Sequence, residues 1–228
     1  MRVLGIDTAT LTASIALLDD DRVLADARHD TSERRSADLL VAIDALCKSV
    51  AISPLELDAV AIGAGPGSFT GLRIGMATAK GIAFAAHKPL WAVSSLAALA
   101  HEARAHTDHT SIMAVLDARR GEVFAGCYVG GALVGDERVV PPDELVRWVT
   151  TLDQPAFAGD ALAAYPDALA SLAAAWLPVS TPSGIAVAQL ALAGSRVDIV
   201  TSGAPTYIRA SEAEIKYPDG VPGALRRR

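Results

Sequence analysis

Cysteine is scarce: the chain of 228 residues has two, Cys47 and Cys127. No disulfide framework can be built on that pair, and neither has a second ligand at zinc spacing, so a reducing compartment fits. Basic charge is in deficit. Lys and Arg number 20 against 26 Asp and Glu, giving a net charge of -6. Such a chain is a poor candidate for gripping a phosphate backbone over a wide surface by itself, although a local patch or a complex could still bring it to RNA. No run of 18 apolar residues escapes a charge or a Gly/Pro break, so no transmembrane helix is expected. The opening apolar run, Val3 to Ile6, is broken by Asp7, too early for the core of a signal peptide. These features together read as soluble and cytoplasmic.

Familiar signatures are missing too. There is no G-x-x-x-x-G-K-[ST] loop, Gly65 and Gly67 do not open a G-x-G-x-x-G, and Phe69 and Thr70 after Ser68 spoil a nucleophile elbow. His101 and His106 flank Glu102 like a zinc-protease motif, but at the wrong spacing. Five helical steps leave the two imidazoles about 140° apart, so they cannot share a metal from one face. That spacing removes a metallopeptidase.

What is present is a globular composition, 51% hydrophobic and 20% charged, ample for a sizeable core. Length suggests one large domain or two small ones. The chain reads as strands at Val3–Asp7, Ala13–Leu18 and Val23–Arg28, then an amphipathic helix over Ser36–Ser49. Leu57–Ala64 reads as a buried parallel strand. A second helix follows to Ala86, then a strand at Leu90–Val93 and a helix at Ser95–Arg104. The remainder reads as a strand at Ser111–Leu116 and a hairpin of Gly121–Val129 and Ala132–Val140. After it come a helix at Pro142–Thr151, a strand at Ala156–Ala158, an alanine-rich helix at Asp167–Ala175 and a helix at Gly184–Ala193. The second half loosely echoes the first. We place a boundary near residue 105, with lobes 1–105 and 106–228 and the last ten or so residues poorly ordered.

Three strings carry chemistry. Asp7, Thr8 and Thr10 lie in a turn after the first strand, where backbone N–H groups and hydroxyls can hold phosphate oxygens and Asp7 a hydrated Mg²⁺. The same residues also serve simple turn capping. Gly65, Gly67 and Ser68 form a glycine-rich loop feeding a helix N-terminus, an anion cradle with Arg73 nearby or a tight turn allowing close packing. Small residues continue through Gly75, Ala77, Gly81 and Ala85, which points to a helix–helix interface. Its expected members are Leu39, Leu40, Ile43 and Leu46 on one helix and Leu72, Gly75, Met76, Ala79, Ile82 and Ala83 on the other. A bulky charged residue at Gly75 or Ala79 is expected to abolish association with the fold intact. Asp117, in Asp117–Phe124, ends a buried strand where open α/β sheets place their sites.

Taken together, Gly5–Thr10 (GIDTAT), Gly65–Gly75 (GPGSFTGLRIG), Asp117–Phe124 (DARRGEVF) and the tail Pro205–Arg209 (PTYIR) resemble the TsaB (YeaZ) family. Ser94-Ser95-Leu96 fits as well, and the resemblance spans nearly the whole chain. It implies a two-lobed α/β fold of the actin/Hsp70/sugar-kinase (ASKHA) type, mixed sheets flanked by helices. It implies a non-catalytic subunit of tRNA N6-threonylcarbamoyladenosine (t6A) synthesis that pairs with the catalytic TsaD through the two N-lobe helices. TsaE, a P-loop ATPase, joins them, and the free subunit pairs with itself through the same surface. ATP and Mg²⁺ then act at the level of the complex, tRNA is met indirectly, and no cofactor of its own is expected. The metal motif of TsaD, H-x-x-x-H, aligns with Ser95 and Leu99. The His-Ser-Glu that many relatives carry at the start of the first long helix is Arg35-Ser36-Ala37 here. The alternative is a stand-alone ATPase or phosphotransferase of the same superfamily, using Asp7 and Gly65–Thr70, with Asp117 as its carboxylate.

Overall fold

The computed structural model describes residues 1–30, 36–198, 205, 206 and 208. Arg35, the side chains of Ser36 and Ala37, and the last ten or so residues lie outside these.

Alternation along the strands builds two sheets, each with two apolar faces. The first has the order β10-β5-β4-β1-β2-β3. Strands β1 (Arg2–Asp7), β2 (Thr12–Asp19) and β3 (Arg22–Asp30) form an antiparallel meander, and β4 (Ala59–Gly63) runs parallel to β1 and to β5 (Leu90–Val93). Leu4, Ile6, Val60 and Ile62 point to one face, where helices α1 (Ser36–Ser49) and α2 (Phe69–Ala86) cover them. Val3, Ala59 and Ala61 point to the other.

That second face needs its own cover, because β4 is buried along its whole length. Helix α6 (Gly184–Leu192) supplies it, packing Ala186, Val187, Ala188 and Ala191 there. The short β10 (Val197–Asp198) then pairs with β5. Both elements fall in the stretch expected to form the second lobe. By packing they serve the first sheet, because an uncovered apolar face costs more than a return crossing of the chain.

The second sheet has the order β8-β7-β6-β9, from β6 (Ser111–Arg119), β7 (Glu122–Val129), β8 (Ala132–Val140) and β9 (Ala156–Ala158). Ile112, Ala114 and Leu116 face α3 (Ser95–Ala103), while Met113 and Val115 face Leu145 of α4 (Pro142–Val149) and Ala161 of α5 (Ala161–Ala164). Helix α3 therefore stands between the sheets and ties the lobes together. The alanine-rich stretch departs from expectation. It is a short 3₁₀ segment over Ala170–Ala175, preceded by the single turn of α5. Pro166 holds Tyr165 out of the helical region, at φ -134° and ψ 59°. Trp176 then anchors the chain by stacking on Phe157 and donating its ring N–H to the Gly159 carbonyl at 3.0 Å.

Candidate functional site: an interlobe cleft and a helical face

The turn after β1 is closed by the chain itself. Asp7 is fully buried. One carboxylate oxygen accepts the Ala9 N–H at 2.8 Å, and the other accepts the Ser95 hydroxyl at 2.7 Å. Ser95 in turn accepts the Gly65 N–H at 3.2 Å. Burial pushes the Asp7 carboxyl up to about 6, opposed by those two hydrogen bonds. Thr8 donates its hydroxyl to the Gly71 carbonyl at 2.9 Å, and the Ser68 N–H donates to the Ala9 carbonyl at 2.7 Å. The glycines explain how the loop comes so close. A Cβ on Gly67 would sit 2.5 Å from Ala9, and one on Gly75 would sit 2.2 Å from the Thr8 hydroxyl oxygen. Asp7 and Thr8 are thus spent on holding the glycine-rich loop, and Gly65 is buried behind it.

Thr10, Gly67 and Ser68 instead line an interlobe cleft of about 330 Å³. Its opposite wall is the end of β6, with Asp117, Arg119 and Arg120, together with Asp160 just past β9. Asp117 bonds the Tyr165 hydroxyl at 2.9 Å and the Arg119 N–H at 2.7 Å, and its carboxylate pairs with the Arg119 guanidinium at 3.0 Å. Asp160 accepts the Asp117 N–H at 2.8 Å. Burial raises its carboxyl to about 6, and the charge of Asp117 adds to the shift while the Asp117 N–H and Arg119 oppose it. Arg119 and Arg120 hold positive φ, 62° and 58°, rare for residues with a side chain. Two residues of the PTYIR tail close the cleft: Thr206 donates its N–H to the Ala64 carbonyl at 2.7 Å, and Ile208 packs against the core beneath β6. Sequence reasoning missed Asp160. Its signal is Gly159-Asp160 directly after a strand, the pattern that drew attention to Asp7.

The expected partner face needs correction. Leu39, Ile43, Leu46, Leu72, Gly75, Met76, Ala79, Ile82 and Ala83 are all buried, the side-chain bearers mostly within the core under the first sheet's helices. Apolar periodicity marks the stripe that faces the chain's own sheet, not the one left for a partner. Bulky charge at Gly75 or Ala79 therefore attacks the fold itself. Leu40 alone of the ten is exposed, at 54%, and Val41 beside it stands at 65%. On α2 the outward positions are Ala77, Gly81 and Ala85, spaced four apart, with Phe84 exposed at 78%. A Cβ on Gly81 would meet nothing within 4 Å. The small residues of α2 thus divide: Gly71 and Gly75 admit the β1 turn, Ala79, Ala83 and Ala86 are buried, and Ala77, Gly81 and Ala85 are exposed.

The family model described as TsaD, tRNA N6-adenosine threonylcarbamoyltransferase, matches residues 28–217. A Bacillus subtilis protein named tRNA threonylcarbamoyladenosine biosynthesis protein TsaB is 32% identical over an alignment of 229 positions, covering 95% of this chain and 98% of the relative. The chain belongs to the TsaB/YeaZ family. An Escherichia coli protein of the same name is 41% identical over 124 residues, 54% of this chain and 53% of its own. The solved structure described as YeaZ from Pseudomonas aeruginosa superposes with a TM-score of 0.75 at 30% identity, covering 90% of this chain and 99% of that one. The two-lobed α/β architecture of mixed sheets flanked by helices is that of this family. Ser95 is engaged with Asp7, and Leu99 is buried in the core. Among the described residues no group of three or more His, Cys, Asp or Glu side chains is arranged to hold a metal ion, and no helix is long and apolar enough to cross a membrane.

Proposed function

We propose that this chain is a non-catalytic subunit of t6A synthesis that docks a TsaD-type threonylcarbamoyltransferase through the outer face of α1 and α2. A TsaE-type ATPase joins them, tRNA is met through the complex, and ATP and Mg²⁺ act there. The observation that carries the reading is that both helices expose large apolar side chains, Leu40 and Val41 on α1 and Phe84 on α2, the last among the exposed small positions Ala77, Gly81 and Ala85, on a chain of this family. Exposed large apolar side chains flanking small residues suit a helix-on-helix contact, and the same face serves a second copy when the partner is absent.

The test is reconstitution of tRNA modification with the TsaD-type and TsaE-type proteins of the same cell, with and without this chain. Modification is expected only with it. A Leu40→Asp/Phe84→Asp double variant should keep its melting temperature and lose both self-association and partner binding in size-exclusion chromatography. Full modification without the chain, or unchanged association of the variant, overturns the reading.

A further inference from the structure

We infer that helix α3 is a bolt that holds the two lobes at one fixed angle, with Ser94 and Ser95 as its fastening. Lobes built on separate sheets ordinarily shift against each other unless the material between them is extensive and apolar or otherwise tied. Here two consecutive serines at the start of α3 each reach an acid of a different sheet. The Ser95 hydroxyl donates to Asp7 of β1 at 2.7 Å. The Ser94 hydroxyl donates to Glu137 of β8, and the Tyr128 hydroxyl of β7 donates to the same carboxylate oxygen. Ser94 does this while its oxygen also caps the helix, accepting the Ala97 N–H at 3.1 Å. Backbone groups add to the fastening. The Ser95 N–H donates to the Gly65 carbonyl at 2.8 Å, and Ser95 Oγ takes the Gly65 N–H at 3.2 Å.

The far end of the helix is tied as well. Glu102 accepts from the Arg28 guanidinium of β3 at 2.9 Å, and that guanidinium also donates to the Thr181 hydroxyl at 3.2 Å. His101 lies 3.2 Å from the Gln189 side-chain oxygen of α6. Between the ends, Leu96, Leu99, Ala100 and Ala103 pack on the second sheet, whereas Ala98 packs with Val93 and α6 on the first. A change of interlobe angle must therefore break the polar ties or slide a close-packed stripe. The half-exposed Arg28–Glu102 pair contributes least. The Ser95–Asp7 bond is buried, and Ser94 joins a second donor on one carboxylate oxygen, so these two ties decide the angle. The bolt lies within this chain alone, so it is tested apart from any role in t6A synthesis.

The experiment is double electron–electron resonance on the full isolated chain, with nitroxide labels at Asp21→Cys in the β2–β3 turn and Glu144→Cys on α4, one exposed site in each lobe. The native Cys47 and Cys127 are buried. The parent should give one narrow distance distribution. Ser94→Asp keeps a capping oxygen but loses the hydroxyl and sets a second acid against Glu137. It should raise the population of a second distance about tenfold or more. Ser94→Thr keeps both cap and hydroxyl and should restore the narrow distribution. Glu137→Ala removes the acceptor without touching the helix cap, and should act as Ser94→Asp does. Far-UV circular dichroism and the melting temperature of each variant serve as folding controls. A broad or two-peaked distribution in the parent overturns the proposal. So does a distribution as narrow as the parent's in folded Ser94→Asp or folded Glu137→Ala.

Discussion

Asp7 and Asp160 occupy matching places in the two lobes. Asp7 ends β1 and Asp160 lies just past β9, each a strand with a parallel partner, and burial pushes each carboxyl up to about 6. What differs is the material in front. Asp7 faces Ser95, the Ala9 N–H and the backbone of Gly63, where even a Cβ would fall 1.8 Å from its carboxylate oxygen. Asp160 faces a cleft. One local pattern, an acid where a strand ends, thus yields a structural carboxyl in the first lobe and a cleft-facing one in the second. The cover decides the role, and apart from the neighbouring Ala9 N–H the cover of Asp7 comes from Gly63 and Ser95, far away in sequence.

The sharpest way to break the comparison is to force the first turn open. Gly75→Leu places a side chain where the Thr8 hydroxyl oxygen would lie 2.2 Å from its Cβ and two Thr8 carbons 3.2 Å away. Overpacking of this kind against backbone-anchored neighbours costs roughly 3 kcal/mol or more. For a chain of this size that is a fall in melting temperature on the order of 10 °C. An unchanged melting temperature in a calorimetric scan would show that α2 does not seal the turn.

A smaller effect separates the two carboxyls by pH. The folded state holds the Asp7 proton up to about pH 6, whereas the unfolded chain releases it near its ordinary value of 3.8. The stabilisation is therefore fully present below about pH 4 and is lost as pH rises through about 6. At about 1.4 kcal/mol per pKa unit the loss approaches 3 kcal/mol. Asp7→Asn should flatten most of that slope in denaturant titrations between pH 4 and 7. A variant with the parent's slope would mean that Asp7 is solvated.

The strands and most helices were legible because alternation and helical period are local. Ser36–Ser49, Leu90–Val93 and Ala156–Ala158 fall where the pattern puts them. The alanine-rich stretch was not, since alanine propensity says nothing of the block at Pro166 or the anchor at Trp176. Nor could local sequence say that α6 covers the first sheet, because that contact depends on a face left bare by strands far earlier in the chain. The same limit governs the helical face. Leu39 and Ile43 announce themselves by period, yet period identifies the inward stripe, and Phe84 is visible as a surface residue only when α2 is docked. At the cleft, Asp117 and Ser68 were readable from their strand and loop, whereas their approach to Asp160 and Thr206 is purely tertiary.

The gentlest test is Asp160→Asn. Its carboxyl is raised in the same direction as that of Asp7, so its stabilisation also fades as pH rises through about 6. Two features shrink the effect. The side chain borders an open cleft, where water screens its charge, and Arg119 pulls against the shift while Asp117 pushes with it. Asp160→Asn should therefore flatten the slope between pH 4 and 7 by clearly less than Asp7→Asn does, and the two changes should add, the sites being in different lobes. Equal effects from the two substitutions would mean that the second turn is as closed as the first, with Asp160 sealed from the cleft as fully as Asp7 is.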